Sequence, residues 1–451
     1  MPVSRKRKTK KKSGARSPKA ASSVWSRQGL SQDVIDGWSA LAAHRRELAQ
    51  RRAALAVPRL AAMVAELAGL ASGGPSVDLE DELCVRLGDQ LWRWSNTPQL
   101  EDHVDVDVAA EVLAAQAISA VGSALGRVAA DPDGWRGSWQ VLATVADIVG
   151  SDLRAAIAEP VEGLRDMPGG EALPFPALPP GPVLAGQVLW ARDVYGSRFG
   201  VTAPFSAPEG PNRWYLWYID ACGGGEPLTV HSGYYPGPEQ ALDAWCAGVG
   251  PVAGRGAAFA PVDNPFLLVD LLPAHNGFMR IGGESADQLA EYHRSRRLAE
   301  IVIEAADTPA GGQPAADLDA DTAATQFMAW WRDHHLDQPP PAEGGGPADG
   351  DMEERAAELA RSWQFGAPRA LYHTCSPHRV ARLVPHLRNF YQAGFAAELV
   401  ALLPQWAAWL AARNGTPSEL ADRCRPYALG ESYPGLTYDR GGPDPQARVI
   451  E

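Results

Sequence analysis

Seven prolines fall between residues 160 and 186, and the spacing of apolar residues changes across them. Before this stretch the hydrophobic positions recur at helical intervals; after it they alternate. A chain with that switch cannot be one uniform bundle or one uniform sandwich. It reads as an α+β multidomain protein, with an N-terminal helical domain and a small central α/β domain whose sheet is mainly antiparallel. A C-terminal helical region and a disordered basic N-terminal tail complete the reading. At 451 residues, 45% of them apolar and with fifteen tryptophans, the chain has material for two or three cores.

The spacing predicts one helix from about Ser31 through Leu48 and a second through Leu55 and Leu70, the latter kinked or divided by Pro58 and stopped at Gly73-Gly74. Ser31 is the expected N-cap of the first. Further helices are expected over Leu79–Trp94, Val106–Val128 and Trp135–Ile157, the last ended by Pro160. This gives a helical domain over 23–159 and a semi-rigid linker over 160–186. Strands follow at Arg198–Phe205, Arg213–Ala221 and Leu228–Ser232. In the second, Trp214, Leu216 and Tyr218 alternate with Tyr215, Trp217 and Ile219, so both faces are apolar and the strand is expected at the centre of a covered sheet.

Pro238 can start a helix carrying Ala241, Leu242, Trp245 and Val249. A fourth strand is expected at Phe266–Leu271 and a helix from about Ser285 to Ala305, closing an α/β domain over 187–305. Residues 306–350 read as a flexible linker holding one helix near Ala323–His334. A helical region over 351–425 and a loose tail over 426–451 follow. No repeat of fixed period is present in the sequence.

Charge divides the chain a second way. All its lysines, Lys6, Lys8, Lys10, Lys11, Lys12 and Lys19, lie in the first nineteen residues. With Arg5, Arg7 and Arg16 they make nine cations and no carboxylate, which leaves 32 arginines against 54 carboxylates in the remainder. The tail (1–22) should stay extended and seek polyanions, and the body should repel them. A body without lysine excludes P-loop, pyridoxal Schiff-base, lysine-adenylating and protein-kinase chemistry, each of which needs that amine on a folded element. Arginine in place of lysine, with abundant alanine, glycine and proline, is the bias of a GC-rich bacterial coding sequence.

Five scattered cysteines without a C-x-x-C pair argue against a disulfide framework or a closed zinc site and fit a reducing compartment. Residues 13–30 are too polar for the apolar part of a secretory signal. The greasiest stretch, Leu399–Ala412, is interrupted by Pro404 and Gln405, so no membrane span is expected. The expected location is the cytoplasm.

Two candidate sites follow. Arg5, Lys6, Arg7, Lys8, Lys10, Lys11 and Lys12 would neutralise phosphates of nucleic acid or of the ribosome without reading bases. His373, Cys375 and His378, with His386 eight residues on, form the densest cluster of reactive side chains. Ser376 as N-cap and Pro377 at N1 would place Cys375 beside the positive end of a helix, where a thiol pKa falls. That arrangement suits a nucleophile or, with His386, a metal ligand; the bland alternative is an ordinary helix start.

Other motifs are weaker. His103, Asp105 and Asp107 alternate like strand-borne ligands, with Glu101 and Asp102 beside them, but also suit the acidic first turn of a helix. Asp317, Asp319 and Asp321 imitate a calcium loop, yet Thr322 and Met328 stand where glycine and glutamate are required. Gly254-Arg255-Gly256 lacks the third glycine of a dinucleotide fingerprint. Trp330, Trp331, His334 and His335, like Trp406 and Trp409, are expected in a core or an interface. No cofactor is implied. The expectation is a non-enzymatic interaction protein, tethered by its tail and able to dock a protein through its C-terminal helices; the alternative is a thiol- or metal-dependent enzyme at Cys375 and His378.

Overall fold

The computed structural model describes residues 32–71, 77–166, 178–206, 212–222, 226–273, 284–306, 318–334, 349–431 and 433. The basic tail and the expected cap Ser31 lie outside these. The chain divides into Met1–Arg51, described from Gln32 onward as the start of one long helix, and Arg52–Glu451.

Five helices come first: α1 (Gln32–Leu70), α2 (Val77–Ser95), α3 (Val106–Leu125), α4 (Arg136–Ile148) and α5 (Ser151–Arg165). Pro58 does not divide α1, and Pro160 does not end α5. In each case the residue four positions earlier, Ala54 or Ala156, is exposed, so the carbonyl that proline leaves unbonded faces water. The break comes instead at Val149–Gly150, between α4 and α5, where the Ser151 N–H at the helix start donates to Glu300 Oε2 at 2.9 Å. Leu60, Leu67, Leu83, Leu113 and Leu142 centre the core of these helices.

The middle section holds β1 (Val183–Leu184), β2 (Leu189–Arg192), β3 (Arg198–Ser206), β4 (Arg213–Asp220), β5 (Leu228–Tyr235), α6 (Pro238–Val249), β6 (Ala260–Pro261), α7 (Pro265–Leu271), α8 (Ala286–Ala290) and α9 (Tyr292–Ala305). The sheet order is β5-β4-β3-β2-β6 with β1 on β3, and each pairing is antiparallel. Period-two alternation gives β4 two dry faces, as expected. Leu216 and Tyr218 pack beneath Trp245 of α6; Tyr215, Trp217 and Ile219 pack with α7 and α9 on the other side.

Two expectations fail here. Phe266–Leu271 is helix α7, not a strand, because Asn264 caps it, accepting the Leu267 N–H at 3.1 Å, and Pro265 starts it. A short apolar run has no period of its own, so the cap decides. The expected helix over Ser285–Ala305 is broken at Glu291 into α8 and α9. Helix α8 carries a full capping box between Ser285 and Gln288 and lies against α2, where a Cβ on Gly88 would come within 2.4 Å of the Ala290 nitrogen. Arg294 of α9 clamps this junction through Glu80 at 2.9 Å, Asp81 and Glu291, while Arg213 reaches Asp81 at 3.0 Å.

The last section is helical: α10 (Ala320–His334), α11 (Asp349–Gln364), α12 (Pro377–Phe390), α13 (Ala393–Asn414), α14 (Ser418–Asp422) and α15 (Arg425–Ala428). Trp363, Trp406, Trp409 and Phe327 fill its core, so the expected aromatic face of α13 is spent on intramolecular packing. The whole is an α+β fold with helices on both sides of a central antiparallel sheet.

The expectation of no apolar helix long enough for a membrane needs correcting. Ala43–Leu70, α3 and α13 each meet that length and hydropathy; α13 runs unbroken through Pro404, and its Pro404 and Gln405 carry no charge. Half of the apolar window in α3 and in α13 is buried inside the protein.

Candidate functional site

Strand β4 ends at Asp220, a carboxylate on a strand that is dry on both faces, and only 3% of it is exposed. A charge there needs partners. Its Oδ1 accepts the Cys222 N–H at 2.9 Å, turning the chain out of the sheet. Its Oδ2 lies 3.2 Å from Arg382 Nη1 and 3.2 Å from His378 Nδ1. His378 and Arg382 stand four residues apart on α12, so one helical face delivers both. The arginine contact is an aligned hydrogen bond; the buried imidazole nitrogen makes none.

The hairpin between β2 and β3 builds the neighbouring wall. Asp193 accepts the N–H groups of Ser197 at 2.7 Å and Arg198 at 3.1 Å, and its Oδ2 lies 3.5 Å from Arg198 Nε. Arg198 reaches Tyr218 Oη at 3.5 Å. Cys222 Sγ sits 3.6 Å from Ser376 Oγ, and the ring of Tyr433 covers His378 at 5.3 Å between centroids.

Burial sets the protonation of these groups. It pushes His378 down to about 4, with Arg198 and Arg382 adding to the effect and Asp220 opposing it, so the imidazole is neutral at neutral pH. Burial pushes the Cys222 thiol far up, and it stays protonated. For Asp220 burial acts upward, but His378 when protonated, Arg382 and the Cys222 donors outweigh it and hold the carboxyl below the usual range; with His378 neutral, Arg382 and those donors remain. Two carboxylates, Asp193 and Asp220, thus face two guanidiniums, Arg198 and Arg382; burial pushes Asp193 up, and Arg198 with the Ser197 and Arg198 N–H groups opposes that shift.

Directly above it, Ser376 caps α12 by accepting the Arg379 N–H at 3.1 Å, with Pro377 at N1, as the sequence suggests. Arg379 is 2% exposed, and its partners are backbone carbonyls and the Thr374 hydroxyl. Its guanidinium donates to the carbonyls of Leu371 at 2.7 Å, Thr374 at 3.0 Å and Trp363 at 2.6 Å, and lies 4.4 Å over the Trp363 ring. Burial pushes it down to about 10. The turn from Leu371 to Thr374 is therefore wrapped around a cation.

The structure scatters the reactive residues expected from the sequence. His378 turns toward Asp220. Cys375 is half-buried, and its thiol faces Cys424 Sγ at 4.0 Å. His373 is half-buried and its carbonyl accepts from Asn414 at 2.7 Å. The ring of His386 stacks on Phe365 at 5.3 Å and packs at a tilt on Phe390 at 4.4 Å. The weaker motifs find local partners: His103 Nε2 with the Thr97 carbonyl at 2.7 Å, and Asp105 as the N-cap of α3. Asp107 lies 3.4 Å from Arg296. Asp319 accepts the Thr322 N–H at the start of α10, while Asp317 and His335 lie outside the described residues. Arg255 pairs with Glu419 at 3.4 Å, and Trp330 and Trp331 pack on Phe327.

Asp220 and Cys222 were not anticipated. Together with His378 they form a buried set of potential metal ligands whose donor atoms lie within 4.8 Å of one another. Binding a metal there would put a divalent cation beside two guanidiniums, those of Arg198 and Arg382. Comparison with protein-family models, curated proteins and solved structures finds no match for the chain.

Proposed function

We propose that the chain is a non-enzymatic cytoplasmic interaction protein whose folded body is tethered to nucleic acid, free or ribosomal, by its basic tail. The observation that carries this is the partition of charge: nine cations and no carboxylate in the first nineteen residues, and 32 arginines against 54 carboxylates afterwards. Arg5, Lys6, Arg7, Lys8, Lys10, Lys11 and Lys12 supply phosphate contacts without aromatic base readers, so binding is electrostatic and insensitive to sequence. The ionic cluster at Asp220 supports a structural use of its polar residues, since Asp220 is met by Arg382 and Asp193 by Arg198. The cleft lined by Thr229, Ser232, Gln288 and Glu291 holds about 10 Å³, room for no more than a single water.

The test is binding of the full chain to duplex DNA and to structured RNA across salt concentrations, beside a variant lacking residues 2–19. The expected slope of log K against log salt is about −0.9 per phosphate contact on duplex DNA, and it should vanish with the deletion. Equal binding by both forms would overturn the tether.

One observation favours a second reading, a metal-dependent protein: His378 Nδ1 is buried without an aligned partner beside Asp220 and Cys222. Elemental analysis of protein purified without chelators decides it. Stoichiometric zinc lost in Cys222→Ser supports a metal centre; metal-free folded protein ends it.

A further inference from the structure

We infer that Cys375 and Cys424 form a reversible disulfide, a redox-modified site that joins the start of α12 to the turn between α14 and α15. Their sulfurs lie 4.0 Å apart with the Cys375 S–H directed at Cys424. A disulfide needs about 2.05 Å, which is within reach of small side-chain rotations and modest give in a turn. Cys375 is half-buried and open to a small oxidant, whereas Cys424 is buried behind it, in the arrangement of an attacking and a resolving thiol. The other three cysteines are placed differently: Cys84 in the helical core around α2, Cys222 against Ser376, and Cys246 on α6.

The oxidant is a hydroperoxide. The Cys375 sulfur, having lost its proton, attacks the terminal peroxide oxygen; the O–O bond breaks and an alcohol, or water from hydrogen peroxide, leaves. This gives the sulfenic acid at Cys375. The Cys424 sulfur then attacks it, the S–O bond breaks, and the departing hydroxide leaves as water with the Cys424 proton. Each sulfur gives up one electron, two in all, and a dithiol reductant reverses the sequence.

The bond would fasten a wall of the buried ionic cluster. Tyr427 of α15 packs at a tilt against Tyr433 at 5.0 Å, and Tyr433 against His378 at 5.3 Å. Closing the loop between Cys375 and Cys424 ties that aromatic cover to the N-terminus of the helix that carries His378 and Arg382.

The full chain is treated with hydrogen peroxide under native conditions, quenched by alkylation in denaturant, digested and analysed by mass spectrometry. The expected result is a link between the peptides holding Cys375 and Cys424, a fall in alkylatable cysteines from the five of the sequence by two, and recovery with dithiothreitol. In Cys424→Ser, Cys375 should stop at the sulfenic acid and be trapped by dimedone. The same treatment in urea should lower the selectivity for this link at least tenfold. Independent oxidation of the two thiols to sulfinic acid, a link to another cysteine, or equal selectivity in urea would overturn the assignment.

Discussion

Replacing Asp220 by asparagine keeps its shape and its acceptor for the Cys222 N–H but removes the charge that Arg382 and His378 face. Asp220 is 3% exposed and the Arg382 side chain 10%, so water cannot take over. Removing one partner of a buried ion pair costs about 3–5 kcal/mol. Typical folding stabilities are about 5–15 kcal/mol, so the loss would be a large fraction of the total. Urea unfolding followed by tryptophan fluorescence measures it, with Trp217, wholly buried three residues before Asp220, as a local reporter. Replacing both partners, Asp220→Leu with Arg382→Met, removes the orphaned charge, and stability should return to within about 2 kcal/mol of the parent. The double-mutant cycle should thus give a coupling of at least about 2 kcal/mol. A change below about 1 kcal/mol for D220N, or no recovery in the double variant, would refute the claim that the cluster is a structural ion pair. A gain in stability with D220N would instead mark a carboxylate kept for function.

Three further outcomes follow from the geometry. His293 is buried and its pKa is pushed down to about 4, so its contribution is fully present above about 6.5 and is lost as pH falls toward 4; with about 1.36 kcal/mol per pKa unit the loss is about 3 kcal/mol. Urea midpoints at several pH values should fall less steeply in H293N than in the parent. Gly200→Ala places a Cβ 2.9 Å from Trp245 Cγ, beneath a wholly buried ring, and should cost about 1–3 kcal/mol in thermal or urea unfolding, partly recovered by Trp245→Leu. Ser376→Ala removes the cap of α12 and should cost about 1 kcal/mol; an unchanged urea midpoint would deny the cap any energetic role.

Much of the sheet was legible in the alternation of residues 213–221, because only a central strand can use apolar side chains on both faces. The cap at Ser376 and Pro377 was equally legible, being a local pattern. Phe266–Leu271 misled because five apolar residues around Asp270 carry no period, and the start signal in Asn264-Pro265 outweighs β propensity. The break at Glu291 escaped for another reason: it depends on α2 and α8 approaching through Gly88, a tertiary fact. Asp220 was hardest to see. A carboxylate ending a doubly buried strand announces that a cation must meet it, but nothing local says which one; His378 and Arg382 are identified only once α12 is placed. Cys375 drew attention by its position beside a helix start, while the sulfur it faces, that of Cys424, lies 49 residues away and shares no motif with it.

The distance between Asp220 and Arg382, 162 positions along the chain, also sets a timetable. Translation at about 5–20 residues per second brings α12 out on the order of ten to thirty seconds after β4. Until then Asp220 has neither of its α12 partners and has to keep its hydration shell, so that end of the sheet stays wet while its middle can already be dry. Sealing of the sheet is consequently a late step, governed by the arrival of α12 (Pro377–Phe390) near the end of the 451-residue polypeptide. A nascent chain stalled before residue 377 would expose a carboxylate and an open strand end to quality-control proteases, whereas release of the finished chain closes both together.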